Sequence, residues 1–192
     1  DEEELLGIAD LIFGGTLKGL RAEGIDYRGV LYAGLMMTAD GPKLLEYNCR
    51  FGDPETQVVL PRLRGDFARL LAGAAAGKLD RTGLSHRAEA AIAVVLSSEG
   101  YPGAYETGFA VEGLDAVADA AGDCLVFHAG TRLDGETLRS AGGRVLAVTA
   151  LGDDLPQAAD RCYRRIDEIK FENRSLRRDI GWRALTRGAS EA

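Results

Sequence analysis

Residues 30–48 run VLYAGLMMTADGPKLLEYN, and this stretch decides the local fold. An apolar run of β-type residues, Val30 to Met37, leads into Thr38-Ala39-Asp40-Gly41. An Asp-Gly pair between two such runs is a strong hairpin signal, because both residues tolerate the positive φ of a tight turn. Lys43 to Asn48 supplies the returning strand. The stretch therefore predicts an antiparallel hairpin.

Helical patterns lie on both sides of this hairpin. Apolar residues at near-helical spacing predict an amphipathic helix over residues of about 3–23, weakened in its middle by Gly14-Gly15. After the polar, loop-like residues 50–57, similar spacing from Leu60 predicts a second helix that ends near Gly77.

The pattern changes after Leu79–Arg87, a polar stretch without periodicity that we interpret as a linker. Beyond it the sequence predicts clustered strands, with an Asp-Gly turn at Asp134-Gly135, and then a helix capped by Asp153 or Asp154. The predicted strands lie at residues 88–96, 109–111, 124–131 and 144–150. Because strands and helices do not alternate strictly, an α+β fold fits better than a doubly wound parallel sheet.

Composition limits the class of function. The chain has 192 residues, 30 acidic and 23 basic, for a formal net charge of −7. This length suits one large domain or two small ones, and the acidic balance argues against nucleic acid or an anionic membrane as the main partner. The cysteines Cys49, Cys124 and Cys162 lack metal-site spacing, so we expect reduced thiols. No signal peptide or membrane-length apolar segment is visible, which favours a cytoplasmic location.

The stretch that suggests chemistry begins at the end of the hairpin. Glu46 and Asn48 are two residues apart in a strand, so they share a face about 6.6 Å apart. A carboxylate and an amide oxygen are hard ligands of the kind that Mg²⁺ uses together with water and substrate phosphates. The alternative is a hairpin whose polar face merely meets solvent, and spacing alone does not exclude it.

The residues that follow are suited to an anionic ligand. Arg50 can bring a planar fork of donors to a phosphate oxygen. Phe51-Gly52-Asp53-Pro54 is typical of a turn in which backbone amides approach a ligand.

Several motifs together resemble a known family. They occur at residues 27–36 (YRGVLYAGLM), 46–57 (EYNCRFGDPETQ), 98–103 (SEGYPG), 127–131 (FHAGT), 142–149 (GGRVLAVT) and 178–181 (RDIG). The motifs and their order resemble those of the phosphoribosylamine–glycine ligases, or glycinamide ribonucleotide synthetases, of the ATP-grasp superfamily. Other ATP-grasp ligases share the Glu-x-Asn pattern but not the Arg-Phe-Gly-Asp-Pro-Glu string.

The resemblance implies an organisation and an activity. Residues 1–80 would be the C-terminal segment of the ATP-grasp domain and residues 81–192 a small C-terminal α+β domain. The missing N-terminal portion of the same enzyme, with the ATP lid, would lie upstream, so we expect this chain to be a fragment that is inactive alone. The implied reaction activates glycine with ATP as glycyl phosphate, which phosphoribosylamine attacks to give glycinamide ribonucleotide, ADP and phosphate.

The resemblance also assigns residues. Glu46 and Asn48 would bind Mg²⁺ or Mn²⁺, and Arg50 would face the transferred phosphate. Asp53 would be a second catalytic residue, and Gly52, Asp53, Pro54 and Glu55 would join Arg50 in substrate binding. Phe13-Gly14-Gly15 departs from the family pattern, which usually has Pro-Thr-Leu in that helix, and Leu176 stands where a Tyr is common. Two alternatives remain at this point, a catalytically silent ATP-grasp-derived module and a different ATP-grasp ligase or carboxylase.

Overall fold

The computed structural model describes residues 2–114 and 123–190, and its fold is mixed α+β with antiparallel sheets, as predicted. The chain divides into two compact units, unit 1 being Asp1–Asp53 with Leu63–Ser85 and unit 2 Pro54–Arg62 with His86–Ala192. In chain order the elements are α1 (Glu2–Ala9), a π-turn (Asp10–Gly14), α2 (Gly15–Ala22), β1 (Tyr32–Thr38), β2 (Gly41–Asn48), α3 (Thr56–Arg62), β3 (Leu63–Arg64), α4 (Phe67–Ala75), β4 (Ser85–His86), β5 (Ala90–Ser98), β6 (Cys124–His128), β7 (Thr131–Asp134), β8 (Thr137–Ser140), β9 (Arg144–Gly152), α5 (Leu155–Glu168), β10 (Arg174–Ser175) and α6 (Trp182–Ser190).

The hairpin of unit 1 forms where the sequence predicts it. Strands β1 and β2 pair antiparallel, with Thr38 opposite Gly41 at the turn and Gly34 opposite Glu46 near the other end. Gly41 has φ of +92°, a conformation that glycine adopts without steric cost. The register shifts between Gly34 and Leu35, so the hairpin carries a β-bulge immediately before Glu46.

The core of unit 2 is a sheet covered by one helix. The strand order is β10-β5-β9-β6, and all neighbours are antiparallel. Helix α5 places Ala158, Ala159, Cys162 and Ile166 in the buried cluster against this sheet. Its N-cap is Asp154, whose Oδ1 accepts a hydrogen bond from the Gln157 amide at 2.8 Å. The remaining buried hydrophobic residues are Ile92, Val94, Leu96, Val111, Val145, Leu146, Ala147, Val148, Ala150, Leu151, Ile169 and Phe171.

The helix predicted from Leu60 to Gly77 is wrong as a single element. Helix α3 ends at Arg62 and α4 begins at Phe67. Pro61 lacks the amide that would continue the backbone hydrogen bonds, and Gly65 has φ of +114°, outside the helical region. Asp66 then starts a new helix, because its Oδ1 accepts from the Arg69 amide at 2.8 Å.

Two other predicted elements also differ from the structure. The helix predicted over residues 3–23 is interrupted by the π-turn Asp10–Gly14. The strand predicted at residues 109–111 is reduced to isolated bridges at Ala110 and Glu112. The helix α6 near the end of the described chain lies outside the predicted elements.

The three cysteines are free, and they differ in exposure. Cys49 is exposed, whereas Cys162 is buried and donates its thiol hydrogen to the Val148 carbonyl at 3.3 Å. Burial, with a smaller contribution from Cys124, raises the pKa of the Cys162 thiol to about 12. Among the residues that the structure describes, no helix is long and apolar enough to cross a bilayer.

Candidate active site

Glu46 and Asn48 lie side by side at the end of β2. Their shared face follows from strand alternation, and the Asn48 Nδ2 donates a hydrogen bond to the Glu46 Oε1 at 3.1 Å. Glu46 is exposed and Asn48 is half-buried. The two side chains therefore present a carboxylate and an amide to the same space.

Gly34 leaves room for the Glu46 side chain. It lies opposite Glu46 in the hairpin, and a Cβ at this position would come within 3.2 Å of the Glu46 Cγ. The bulge beside Gly34 adds Leu45 to β2 without a partner residue in β1. Bulges of this kind change the direction of neighbouring side chains, so the bulge and the glycine together set the position of Glu46.

Arg50 lies just after β2 and contacts Asn48. Its Nη2 donates to the Asn48 Oδ1 at 3.3 Å, and its Nη1 donates to the Phe51 carbonyl at 2.8 Å. The first distance exceeds the usual range for an N–H···O bond, so that contact is weak. Asn48 thus stands between the Glu46 carboxylate and the Arg50 guanidinium, and the three residues form one hydrogen-bonded series in unit 1.

The other predicted site residues divide between the two units. Gly52 is buried and Asp53 is exposed, and both belong to unit 1. Pro54 and Glu55 belong to unit 2, where the Glu55 carbonyl accepts from the Val58 and Val59 amides, each at 3.0 Å, at the start of α3. Pro54 also lines a cavity of about 360 Å³ within unit 2, together with Tyr101, Arg144 and Arg177.

The opposite face of the strand end carries two residues that the sequence did not single out. The Tyr47 hydroxyl donates to the Ile12 carbonyl at 3.1 Å. Cys49 lies beside Tyr27, whose hydroxyl donates to the Val30 carbonyl at 2.7 Å. Desolvation by burial raises the pKa of Tyr27, and the hydrogen bond and electrostatic interaction with Cys49 raise it further. Strand alternation places Tyr47 away from Glu46, but no sequence signal identifies Ile12 as its partner.

The donor set fits a divalent cation that is shared with a phosphate. No group of three or more His, Cys, Asp or Glu residues suited to a metal ion occurs in residues 2–114 and 123–190. Glu46 and Asn48 offer two oxygen ligands, which is too few for a cage made by protein alone but typical of Mg²⁺ bound to substrate phosphates. Because the Asn48 Oδ1 accepts from Arg50, metal binding there would require that weak hydrogen bond to be exchanged.

Comparison with known proteins finds two family models that match this chain, and one of them includes strand β2. The model of the phosphoribosylglycinamide synthetase ATP-grasp (A) domain matches residues 1–56, and the model of the C domain of the same synthetase matches residues 91–183. The chain belongs to the phosphoribosylglycinamide synthetase family. Glu46, Asn48 and Arg50 all fall within the ATP-grasp match.

Curated relatives and a solved structure agree with this assignment. The chain is 48% identical over 176 residues to a phosphoribosylamine–glycine ligase from Allochromatium vinosum, a match that covers 91% of this chain and 41% of that protein. A Chlorobaculum tepidum ligase is 50% identical over 170 residues, covering 88% of this chain and 40% of that protein. The crystal structure of a Thermotoga maritima phosphoribosylamine–glycine ligase superimposes with a TM-score of 0.80 at 33% identity, over 91% of this chain and 42% of that one.

The chain therefore spans about 40% of the length of these synthetases. A trifunctional purine biosynthetic protein, adenosine-3, from Gallus gallus is also similar, at 45% identity over 182 residues, and the match covers 18% of that longer protein.

Proposed function

We propose that this chain acts within an ATP-dependent ligase that joins glycine to 5-phosphoribosylamine, giving glycinamide ribonucleotide, ADP and phosphate. The observation that carries the proposal is the series Glu46, Asn48 and Arg50, which is hydrogen-bonded along one strand end inside the segment matched by the ATP-grasp model. A carboxylate and a second oxygen ligand suit a cation shared with a nucleotide, and a guanidinium beside them suits a phosphate.

The reaction would proceed in two balanced steps. A glycine carboxylate oxygen attacks the γ-phosphorus of ATP, the bond to the β-phosphate oxygen breaks, and ADP leaves. The amine of phosphoribosylamine then attacks the carbonyl carbon of glycyl phosphate, the carbon–oxygen bond breaks, and phosphate leaves with the former glycine oxygen. The amine loses one proton as the amide forms.

Glu46 and Asn48 would hold Mg²⁺ or Mn²⁺ through the carboxylate and the amide oxygen. When bound, the cation neutralises charge on the β- and γ-phosphates during transfer. The exposed position of Glu46 suits a ligand that shares its cation with a nucleotide arriving from solvent. The half-buried Asn48 is held more firmly, since both ends of its amide are hydrogen-bonded.

Arg50 would bind an oxygen of the transferred phosphate. Its guanidinium makes a weak contact with Asn48 and a normal hydrogen bond with the Phe51 carbonyl, which leaves further donors for an incoming anion. We assign Asp53 to catalysis beside Arg50, and Gly52, Asp53, Pro54 and Glu55 to binding of the glycine and phosphoribosylamine substrates. The remaining portion of the ligase would act as the partner that supplies the lid over ATP.

Isotope transfer tests the proposal in the full-length ligase. Glycine labelled with ¹⁸O in its carboxylate is supplied with ATP, phosphoribosylamine and Mg²⁺, and released phosphate is examined by mass spectrometry. We expect ADP release to require both co-substrates and each phosphate to carry one labelled oxygen. Unlabelled phosphate would show that water attacks ATP in place of the glycine carboxylate and would overturn the assignment.

A further inference from the structure

Three oxygen atoms meet on the face of β2 opposite Glu46 and Asn48. The Tyr47 hydroxyl lies 3.1 Å from the Ile12 carbonyl, and the Thr16 Oγ1 lies 2.8 Å from the same carbonyl. The Tyr47 and Thr16 hydroxyls are also hydrogen-bonded to each other. The cluster links strand β2 to the helical segment of unit 1, and both hydroxyl side chains are half-buried.

A count of protons shows why the phenol is the key member of this cluster. Two hydroxyl groups supply two protons for three oxygen–oxygen contacts, so one contact has no proton in any arrangement. Tyr47 either donates to the Ile12 carbonyl, while Thr16 donates to Tyr47 or to the same carbonyl, or it donates to Thr16, which then donates to Ile12. In each arrangement the phenol makes a hydrogen bond from the strand to the helical segment, and its removal leaves no such bond in this cluster.

The helical side of the cluster is a site of altered backbone geometry. Ile12 lies within the π-turn Asp10–Gly14, and its carbonyl also accepts from the Gly15 amide. A π-turn changes the register of backbone carbonyls, and such turns are frequent near functional sites. The turn includes Phe13 and Gly14 and is followed by Gly15, which begins α2.

The anchor acts on the part of β2 that follows the bulge. The bulge between Gly34 and Leu35 precedes Glu46, so Glu46, Tyr47 and Asn48 form the strand end beyond it. Tyr47 sits between Glu46 and Asn48 and points to the opposite face, so fixing its hydroxyl fixes the rotation of the strand about its axis.

We propose that Tyr47 is a positioning residue that, together with Thr16 and the Ile12 carbonyl, aims Glu46 and Asn48 at the shared cation. The assignment rests on the proposed function, because it requires these two residues to be the metal ligands. Tyr47 itself touches no substrate. By fixing the strand end, it limits the movement of Glu46 and Asn48, its two neighbours in the sequence.

Metal binding to the full-length ligase tests the proposal without turnover. Mn²⁺ is titrated by electron paramagnetic resonance in the presence of a non-hydrolysable ATP analogue. For Tyr47→Phe we expect the Kd of Mn²⁺ to rise about 10-fold, the lower end of the effects caused by residues that orient metal ligands. Thr16→Val should shift the Kd in the same direction, and Thr16→Ser, which keeps the hydroxyl, should restore it.

The matched control is Tyr163→Phe in unit 2. Its hydroxyl also makes two hydrogen bonds, to the Arg177 carbonyl at 3.1 Å and from the Ile180 amide at 3.2 Å. We expect this variant to lower the melting temperature and to leave the Kd of Mn²⁺ unchanged. If Tyr47→Phe and Thr16→Val behave in the same way, Tyr47 is only a structural residue and the proposal fails.

The variant Glu46→Gln distinguishes failure of the positioning role from failure of the proposed metal site. If it weakens Mn²⁺ binding and the Tyr47 and Thr16 variants do not, the positioning role is wrong and the metal site stands. If Glu46→Gln also leaves the Kd unchanged, the metal site itself is wrong, and the positioning role falls with it. If Tyr47→Phe does not fold, Thr16→Val supplies the test, because it removes the other hydroxyl of the cluster and leaves Tyr47 unchanged.

Discussion

Gly34 illustrates how a residue without a side chain can set the geometry of a candidate metal ligand. It pairs with Glu46 across the hairpin, and the space where its Cβ would be is limited by the Glu46 Cγ. Strand alternation predicted that Glu46 and Asn48 share a face, and the structure shows their side chains hydrogen-bonded. Alternation does not reveal the bulge or the glycine, because both depend on which residue of the partner strand lies opposite.

Gly34→Ala should reduce catalysis in the full-length ligase. The added methyl group would lie 3.2 Å from the Glu46 Cγ, so the side chain of Glu46 must move by a few tenths of an ångström. We expect kcat for ADP release to fall about tenfold, which corresponds to ~1.4 kcal/mol in activation free energy. Gly19→Ala in α2, where an added Cβ has no atom within 4 Å, is the matched control and should keep normal turnover. Equal kcat for the two variants would mean that displacement of Glu46 is harmless.

Helices and strands that depend on a local turn or capping residue could be predicted from the sequence. The pairing register of the strands and the breaks within helices could not. The β1–β2 hairpin follows from Asp40-Gly41, and α5 follows from Asp154 and its apolar face. The single helix expected after Leu60 failed because apolar periodicity continues through Pro61 and Gly65, which break the backbone pattern. The π-turn was not predicted because a single segment of five residues is too short to show a period of its own in the apolar spacing.

The cap of α5 gives a prediction at this scale. Asp154→Ala removes the acceptor of the Gln157 amide and should lower the free energy of unfolding by about 1 kcal/mol. Asp153→Ala is the control, because Asp153 uses its backbone amide, not its carboxylate, to bond the Gln157 Oε1 at 3.0 Å. Urea unfolding followed by circular dichroism measures both variants. A larger loss of unfolding free energy for Asp153→Ala than for Asp154→Ala would show that Asp153, and not Asp154, caps the helix.

The whole molecule distributes its apolar residues unevenly. Among the residues that the structure describes, all fully buried hydrophobic side chains belong to unit 2. Most of the exposed large apolar side chains among these residues belong to unit 1, including Leu5 and Leu6, at 67% and 64% of their surface, and Leu45, at 64%. Exposed apolar side chains in one unit fit the proposal that this chain acts within a longer ligase, because the remaining portion would cover part of that surface.

Hydrogen exchange of the 192-residue chain tests this difference. Strands β5 and β9 and helix α5 carry the buried core, so their amides should exchange slowest. The β1–β2 hairpin and helices α1 and α2 lack buried side chains among their described residues and should exchange much faster. Mass spectrometry of peptides from timed deuterium labelling makes the comparison. Protection of the hairpin equal to that of β9 would show that unit 1 is stable without a partner.

The most direct test of the central claim, that the end of β2 carries the metal site of the ligase, is the turnover of Glu46→Gln. The amide keeps the shape of the side chain but removes the negative charge that would face the cation. In the full-length ligase we predict that kcat for ADP release falls ~10²-fold, or about 3 kcal/mol, with much less change in the KM for ATP. Glu136→Gln, at the exposed β7–β8 turn, is the matched control and should leave kcat unchanged. Unchanged kcat for Glu46→Gln would contradict the assignment and remove Glu46 from the metal site.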